Sequence, residues 1–111
     1  MATDQVKGQL DMLVLRVLHD GPAHGYSVIS ALRDRSEGAF DLPEGTIYPA
    51  LHRLEEAGLL ESDWQSVHGR RRRLYRLTRF GAAALVEGQS RWAQFVFAVE
   101  SVLSPMTPRP A

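Results

Sequence analysis

The stretch Glu44-Gly45-Thr46-Ile47-Tyr48-Pro49-Ala50-Leu51-His52-Arg53-Leu54-Glu55-Glu56-Ala57-Gly58-Leu59 decides how the rest of the chain is read. Ile47, Ala50, Leu51, Leu54 and Ala57 recur at three- and four-residue spacing, the narrow apolar stripe of an amphipathic helix. With Thr46 as N-cap the helix runs Thr46–Ala57, and Gly58 closes it as a C-cap. Pro49 then falls in the first turn, where its missing N–H has no intrahelical partner to lose. Tyr48, His52, Arg53 and Glu56 lie off the stripe and point away from a core.

Upstream, Leu10, Leu13, Val14, Val17 and Leu18 mark a first helix that stops at Asp20-Gly21-Pro22. A second helix carries Tyr26, Ile29 and Leu32 on one face and fades at Ser36-Glu37-Gly38. Downstream of Gly58 the period changes to two. Leu60, Ser62 and Trp64 alternate, Val67-His68-Gly69 supplies a turn, and Arg73, Tyr75 and Leu77 alternate again, which reads as a hairpin. Thr78 then caps a last helix reaching Pro105, with Leu85, Trp92, Phe95, Val96, Val99, Val102 and Leu103 at three-four spacing. At roughly 25 residues it spans about 38 Å, longer than the core of so small a domain. An apolar face that outruns its own core meets another chain, so these seven residues are assigned to dimerisation. The tail 104–111, with three prolines, is expected to be disordered.

The fold class is therefore mainly α with a small β-hairpin, a winged helix-turn-helix followed by a long C-terminal dimerisation helix. The units are 1–77, the winged domain; 78–103, the helix; and 104–111, the tail.

Length and composition agree with this and narrow the function. The chain has 111 residues, enough for one core, with 44% hydrophobic and 23% charged residues as in ordinary globular proteins. It has no cysteine, which excludes disulfides, thiol nucleophiles and cysteine-ligated zinc. His19, His24, His52 and His68 are not at ligand spacing, so no metal site and no cofactor are expected. No nucleophile–base arrangement or phosphate loop appears, so no catalytic residue is assigned and an enzyme is disfavoured. Lys7, Asp11 and Arg16 interrupt the N-terminal hydrophobics, and no apolar run is long enough to span a bilayer; the expectation is a cytoplasmic protein with no membrane partner.

Formal net charge is +0, yet Arg70, Arg71, Arg72, Arg73, Arg76 and Arg79 fall in one stretch without an acid. Such a run is either a solvated charged strand or a positive surface for a polyanion. On a hairpin beside an exposed helix face, Arg70, Arg71, Arg72 and Arg73 are placed to flank or enter a DNA minor groove. Alternation puts Arg70 and Arg72 on one face and Arg71 and Arg73 on the other. Gly45 and Thr46, at a helix N-terminus, are candidate phosphate neighbours. Arg53, and with less support His52, are candidate base readers; Arg53 pairs equally well with Glu55 or Glu56 on its own helix. The competing reading is a winged-helix module that docks a protein, which would not need so concentrated a charge.

The ordered set of motifs resembles the PadR-like transcriptional regulators. The segment from Glu44 to Leu59 is similar to that family's recognition helix, and His24-Gly25-Tyr26 to the start of its second helix. Trp64, Gly69-Arg70, Tyr75 to Thr78 and Gly81 resemble its wing and the beginning of its last helix. Leu74 stands where members often carry a second aromatic, and the single C-terminal helix resembles the short forms. The resemblance implies a homodimeric repressor on a pseudo-palindromic double-stranded operator, released by an effector. It implies a DNA-facing position for Tyr48, with packing of its ring on the second helix as the alternative. For Trp92 and Phe95 it implies stacking of a small aromatic effector between subunits, with plain interface packing as the alternative.

Overall fold

The computed structural model describes residues 6–106. A 3-10 turn, Lys7–Gln9, leads into α1, Leu10–His19; a two-residue strand β1, Ala23–His24, precedes α2, Gly25–Arg35. Helix α3 is Glu44–Glu56, the hairpin is β2, Leu60–Val67, and β3, Arg70–Leu77, and α4 is Arg79–Leu103. The sheet is antiparallel in the order β1-β3-β2. Periodicity missed β1, because two residues carry no period. The expected disorder of 104–111 falls mostly outside the described residues.

The core lies where α1, α2, α3 and the sheet converge. Val14, Val28, Ile47, Ala50 and Leu51 have no exposed surface, and Leu18, Leu54, Leu60 and Tyr75 are almost as fully enclosed. Burial of this apolar area supplies most of the driving force for folding. Tyr75 pairs with Ala23 on one side and Ser62 on the other, so the central strand pins both edges. Burial raises its phenol pKa, with the Glu55 carboxylate adding to the effect, so Tyr75 stays neutral. In α2 the buried face is Gly25, Val28 and Leu32. Tyr26, placed by its spacing on one face with Ile29 and Leu32, is 42% exposed and takes part in the surface described below.

Helix α3 starts two residues before Thr46. Pro43, in extended conformation, is the N-cap, and its carbonyl accepts from Thr46 N at 3.0 Å and Ile47 N at 3.2 Å. Thr46 is thus the third helical residue rather than the cap, and Pro49 sits in the second turn. Its ring deprives the Gly45 carbonyl of an intrahelical donor; Gly45 is exposed, so water can replace it. Ala57, expected on the buried stripe, is exposed. Gly58 closes the helix at φ 79°, with Leu59 N donating to Leu54 O at 3.0 Å. The hairpin turns on His68 and Gly69, both with positive φ, matching the twist of the flanking strands.

One junction fixes α4 against this body. The Thr78 hydroxyl accepts from Gly81 N at 3.0 Å and donates to Gly58 O at 2.7 Å, while Thr78 N donates to Leu59 O at 3.1 Å. Gly81 lies so close to the α3–β2 connection that a Cβ would stand 2.1 Å from Leu59 O. Only Gly81 and Leu85 of α4 are buried. Leu85, assigned by its spacing to dimerisation, therefore belongs to the protomer's own core. Gly88 packs against Met12, and Trp92 and Phe95 still line a cleft with Met12; beyond them the helix leaves the body, and the molecule measures 74 × 28 × 20 Å.

Gly81→Ala is expected to destabilise the fold by about 1–3 kcal/mol, because the clash is with backbone that cannot swing aside. Thr78→Ala is expected to cost about 1–2 kcal/mol through the lost cap. Urea unfolding midpoints check both; an unchanged midpoint for Gly81→Ala would refute the close-approach argument.

Candidate nucleic-acid interface

The outward side of α3 carries Gly45, Pro49, His52, Arg53 and Glu56, all exposed, with Thr46 and Tyr48 half-buried at its flanks. Tyr48 lies on the α2 side. Its ring occupies the space over Gly25, where a Cβ would come within 2.5–2.8 Å of ring and hydroxyl atoms. This is the packing alternative, and it explains why the first residue of α2 is glycine. The ring also lines a groove of about 230 Å³ between α3 and the wing, together with His52, Trp64 and Arg71, Arg72 and Arg73. Of the residues singled out from the sequence, Tyr48, His52, Arg71, Arg72 and Arg73 thus border one depression, while Gly45, Thr46, Arg53 and Arg70 do not line it.

Arg53 lies on the opposite flank. It pairs neither with Glu55 nor with Glu56 but with Asp11 of α1, 2.5 Å away, across 42 positions of sequence. Both side chains are half exposed, so the pair contributes little to stability and Arg53 remains reachable from solvent.

The wing arginines divide into two groups. Arg73 donates to the Ser62 hydroxyl at 2.6 Å, Ser62 donates to Glu55 Oε2 at 2.6 Å, and Arg73 stands 3.7 Å from the same carboxylate. That chain ties the wing to the last turns of α3. Arg76 pairs with Asp63 across the hairpin. Arg70, Arg71 and Arg72 have no carboxylate partner among the described residues. Arg71 lies over the Trp64 ring at 4.9 Å and Arg73 at 5.0 Å, both on one face of the hairpin. On the other face Arg72 lies over Tyr26 at 4.6 Å, and Tyr26 stacks on His24 with centroids 5.5 Å apart. The His24 ring contacts Gln65 of β2 through Nε2 at 3.2 Å, so the wing is held from both sides.

On α4, Trp92, Phe95, Val99, Val102 and Leu103 are exposed and Val96 is half-buried. Phe97, which the spacing argument left aside, is 73% exposed. Trp92 and Phe95 lie 5.9 Å apart and flank a cleft of about 460 Å³ with Met12, Asp11 and Gly88. Among the described residues no cluster of His, Asp or Glu could hold a metal ion, and no helix is long and apolar enough to cross a membrane.

Three linked helices, a hairpin wing and a protruding C-terminal helix define a winged helix-turn-helix protein. A sequence profile of the Transcriptional regulator PadR-like family matches residues 14–87. The chain belongs to this family, whose members are transcriptional regulators and not enzymes. It is 45% identical over 76 residues to "Transcriptional regulator Rv3488" of Mycobacterium tuberculosis, covering 66% of this chain and 68% of that protein. It is 31% identical over 93 residues to an uncharacterized protein of Lysinibacillus sphaericus, covering 83% and 85%. A PadR family transcriptional regulator from Eggerthella lenta superposes with a TM-score of 0.84 at 33% identity, covering 96% of this chain and 91% of the other. A transcriptional regulator from Clostridium thermocellum gives 0.85 at 25% identity, covering 91% and 99%.

The two kinds of wing arginine should separate in stability measurements. Arg73→Ala removes the guanidinium from the Ser62–Glu55 pair and is expected to lower stability by about 1 kcal/mol, allowing for solvent screening. Arg70→Ala is expected to stay within about 0.5 kcal/mol of the parent. Equal effects in urea unfolding would contradict the division.

Proposed function

We propose that this regulator acts as a homodimeric repressor that reads a pseudo-palindromic operator. The observation that carries the reading is the single groove bordered by the outward side of α3 and by Arg71 and Arg72, with Arg70 exposed at the wing tip. In this reading α3 lies in the major groove, with His52, Tyr48 and Arg53 facing bases or phosphates and Gly45 and Thr46 near the backbone. Arg70, Arg71 and Arg72 neutralise flanking phosphates; Arg73 supports them by holding the wing to α3. The winged domain, 1–77, supplies half a site and the C-terminal unit, 78–103, which contains α4, joins two halves in the cytoplasm. The exposed apolar row Trp92, Phe95, Val99, Val102 and Leu103 supports that pairing, since so long an uncovered face is costly in water. An aromatic effector stacking on Trp92 and Phe95 would change the spacing of the two recognition helices and release the promoter.

Anisotropy of labelled DNA from upstream of the protein's own gene, titrated with salt, tests the DNA reading. Arg70→Ala/Arg72→Ala is expected to weaken binding and to reduce the slope of log affinity on log salt by about two. Wild-type affinity with an unchanged slope would sink the wing assignment. For α4, sedimentation should show a dimer that Val99→Asp converts to monomer, with aromatic ligands quenching Trp92 in dimeric Trp64→Phe protein. A monomeric parent would end the homodimer reading, and unquenched Trp92 emission the effector reading.

A further inference from the structure

Trp64 has no part in the core, in the arginine–phosphate scheme or in the α4 interface, and yet it is built into the interface groove. It is 55% exposed at the middle of β2, directly opposite Arg73 in the hairpin register. An indole that only filled space would be covered. This one is instead pinned, with Arg71 and Arg73 lying 4.9 and 5.0 Å from its ring. Arg73 is in turn fixed by Ser62 and Glu55. The ring therefore has little freedom left to lose when something docks on it. Its indole N–H has no acceptor among the described residues. The opposite wall of the groove is Tyr48 and His52 of α3.

We propose that Trp64 is a DNA-contacting residue, the apolar floor of a seat for one deoxyribose-phosphate unit of the strand passing between α3 and the wing. This rests on the DNA-binding reading above. The sugar face is the one apolar surface that a DNA backbone offers, and a flat exposed ring matches it. The phosphates on either side of that sugar are met by Arg71 and by the indole N–H, a donor with no competing acceptor. The cations around the ring attract a phosphodiester backbone; of the two carboxylates that line the neighbouring groove with Trp64, Glu55 is paired with Arg73 and Glu56 is exposed to solvent, which screens it. A seat of this kind touches no base edge. Trp64 therefore adds affinity without sequence preference, and a neutral ring displaces few counterions, so its removal leaves the salt slope almost unchanged.

The test uses a random-sequence duplex at low salt, since the contact is with backbone. Wild-type, Trp64→Phe and Trp64→Ala proteins are compared by duplex anisotropy, by circular dichroism and by emission. Subtracting the Trp64→Phe spectrum, whose only indole is Trp92, isolates Trp64. The expected results are quenching of that difference emission as duplex saturates the protein, and an affinity lowered about tenfold in Trp64→Ala with the salt slope preserved. A role confined to stiffening the hairpin would leave the difference emission unmoved. An unmoved emission at saturation overturns the proposal, as does a folded Trp64→Ala protein binding within about twofold of wild type. Should Trp64→Ala fail to fold, the emission measurement alone decides. Flat anisotropy for wild type on both this duplex and the upstream DNA would instead strike down the DNA-binding reading itself, an outcome distinct from failure at Trp64.

Discussion

A backbone oxygen and a missing side chain set the shape of this protein. Leu59 O occupies the place where any residue but glycine at position 81 would put its Cβ, and Thr78 fastens both strands of that approach with three hydrogen bonds. Through this junction the C-terminus of α3, the start of β2 and the start of α4 share one small volume. The wing cannot shift relative to the recognition helix without disturbing the root of α4, and α4 cannot change direction without pressing on the α3–β2 connection. The α3–wing unit and α4 are therefore mechanically adjacent at their roots, although the tip of α4 projects well clear of the body.

Ion pairing then settles what each arginine does. The run from Arg70 to Arg79 is basic in sequence, but the fold hands Arg73 to Glu55 and Arg76 to Asp63. The remaining positive charge is concentrated toward the hairpin turn, and the neutralised pair braces the strand that carries it. A net charge of +0 is compatible with this, because most of the acids that balance the total lie away from the hairpin turn, as Asp20 does. Its carboxylate bridges Arg16 and Arg35, whose hydrogen bonds and charges hold its pKa below the ordinary value, opposed by a little desolvation.

Much of this was legible from residue order alone. The apolar stripe of α3, the alternation of the hairpin, the Thr78 cap and the excess length of α4 all follow from local periodicity, and each is present. The grouping of Tyr48, His52 and the wing arginines at one groove follows from the order of the elements. Other features were not legible. The start of α3 was misplaced: Thr46 is a good cap by residue type, but the helix begins on the carbonyl of Pro43, a backbone acceptor that no residue preference marks. Leu85 and Val96 look alike in a helical pattern; which is buried depends on where the body ends, and periodicity does not carry that. Partners such as Asp11 for Arg53, or Glu55 for Arg73, are set by tertiary approach. The Trp64–Arg73 pairing was within reach, since the hairpin register places them opposite one another once the turn is fixed at His68-Gly69.

The way α4 is anchored sets how motion passes between its tip and the body. Embedded at Gly81 and Leu85, still bordering α1 at Gly88 and Trp92, and exposed toward Leu103, the helix is a cantilever whose root is stiff and whose arm is free. The 18 residues after Leu85 span about 27 Å, so a tilt of about 5° at the root moves the tip by about 2 Å. Leverage also runs the other way. A small displacement imposed at the tip reaches the root as a very small angle, whereas the same displacement imposed near Trp92 and Gly88, close to the fulcrum, turns the body through a larger one. The gearing of the molecule thus favours inputs near its middle and tolerates variation at its end.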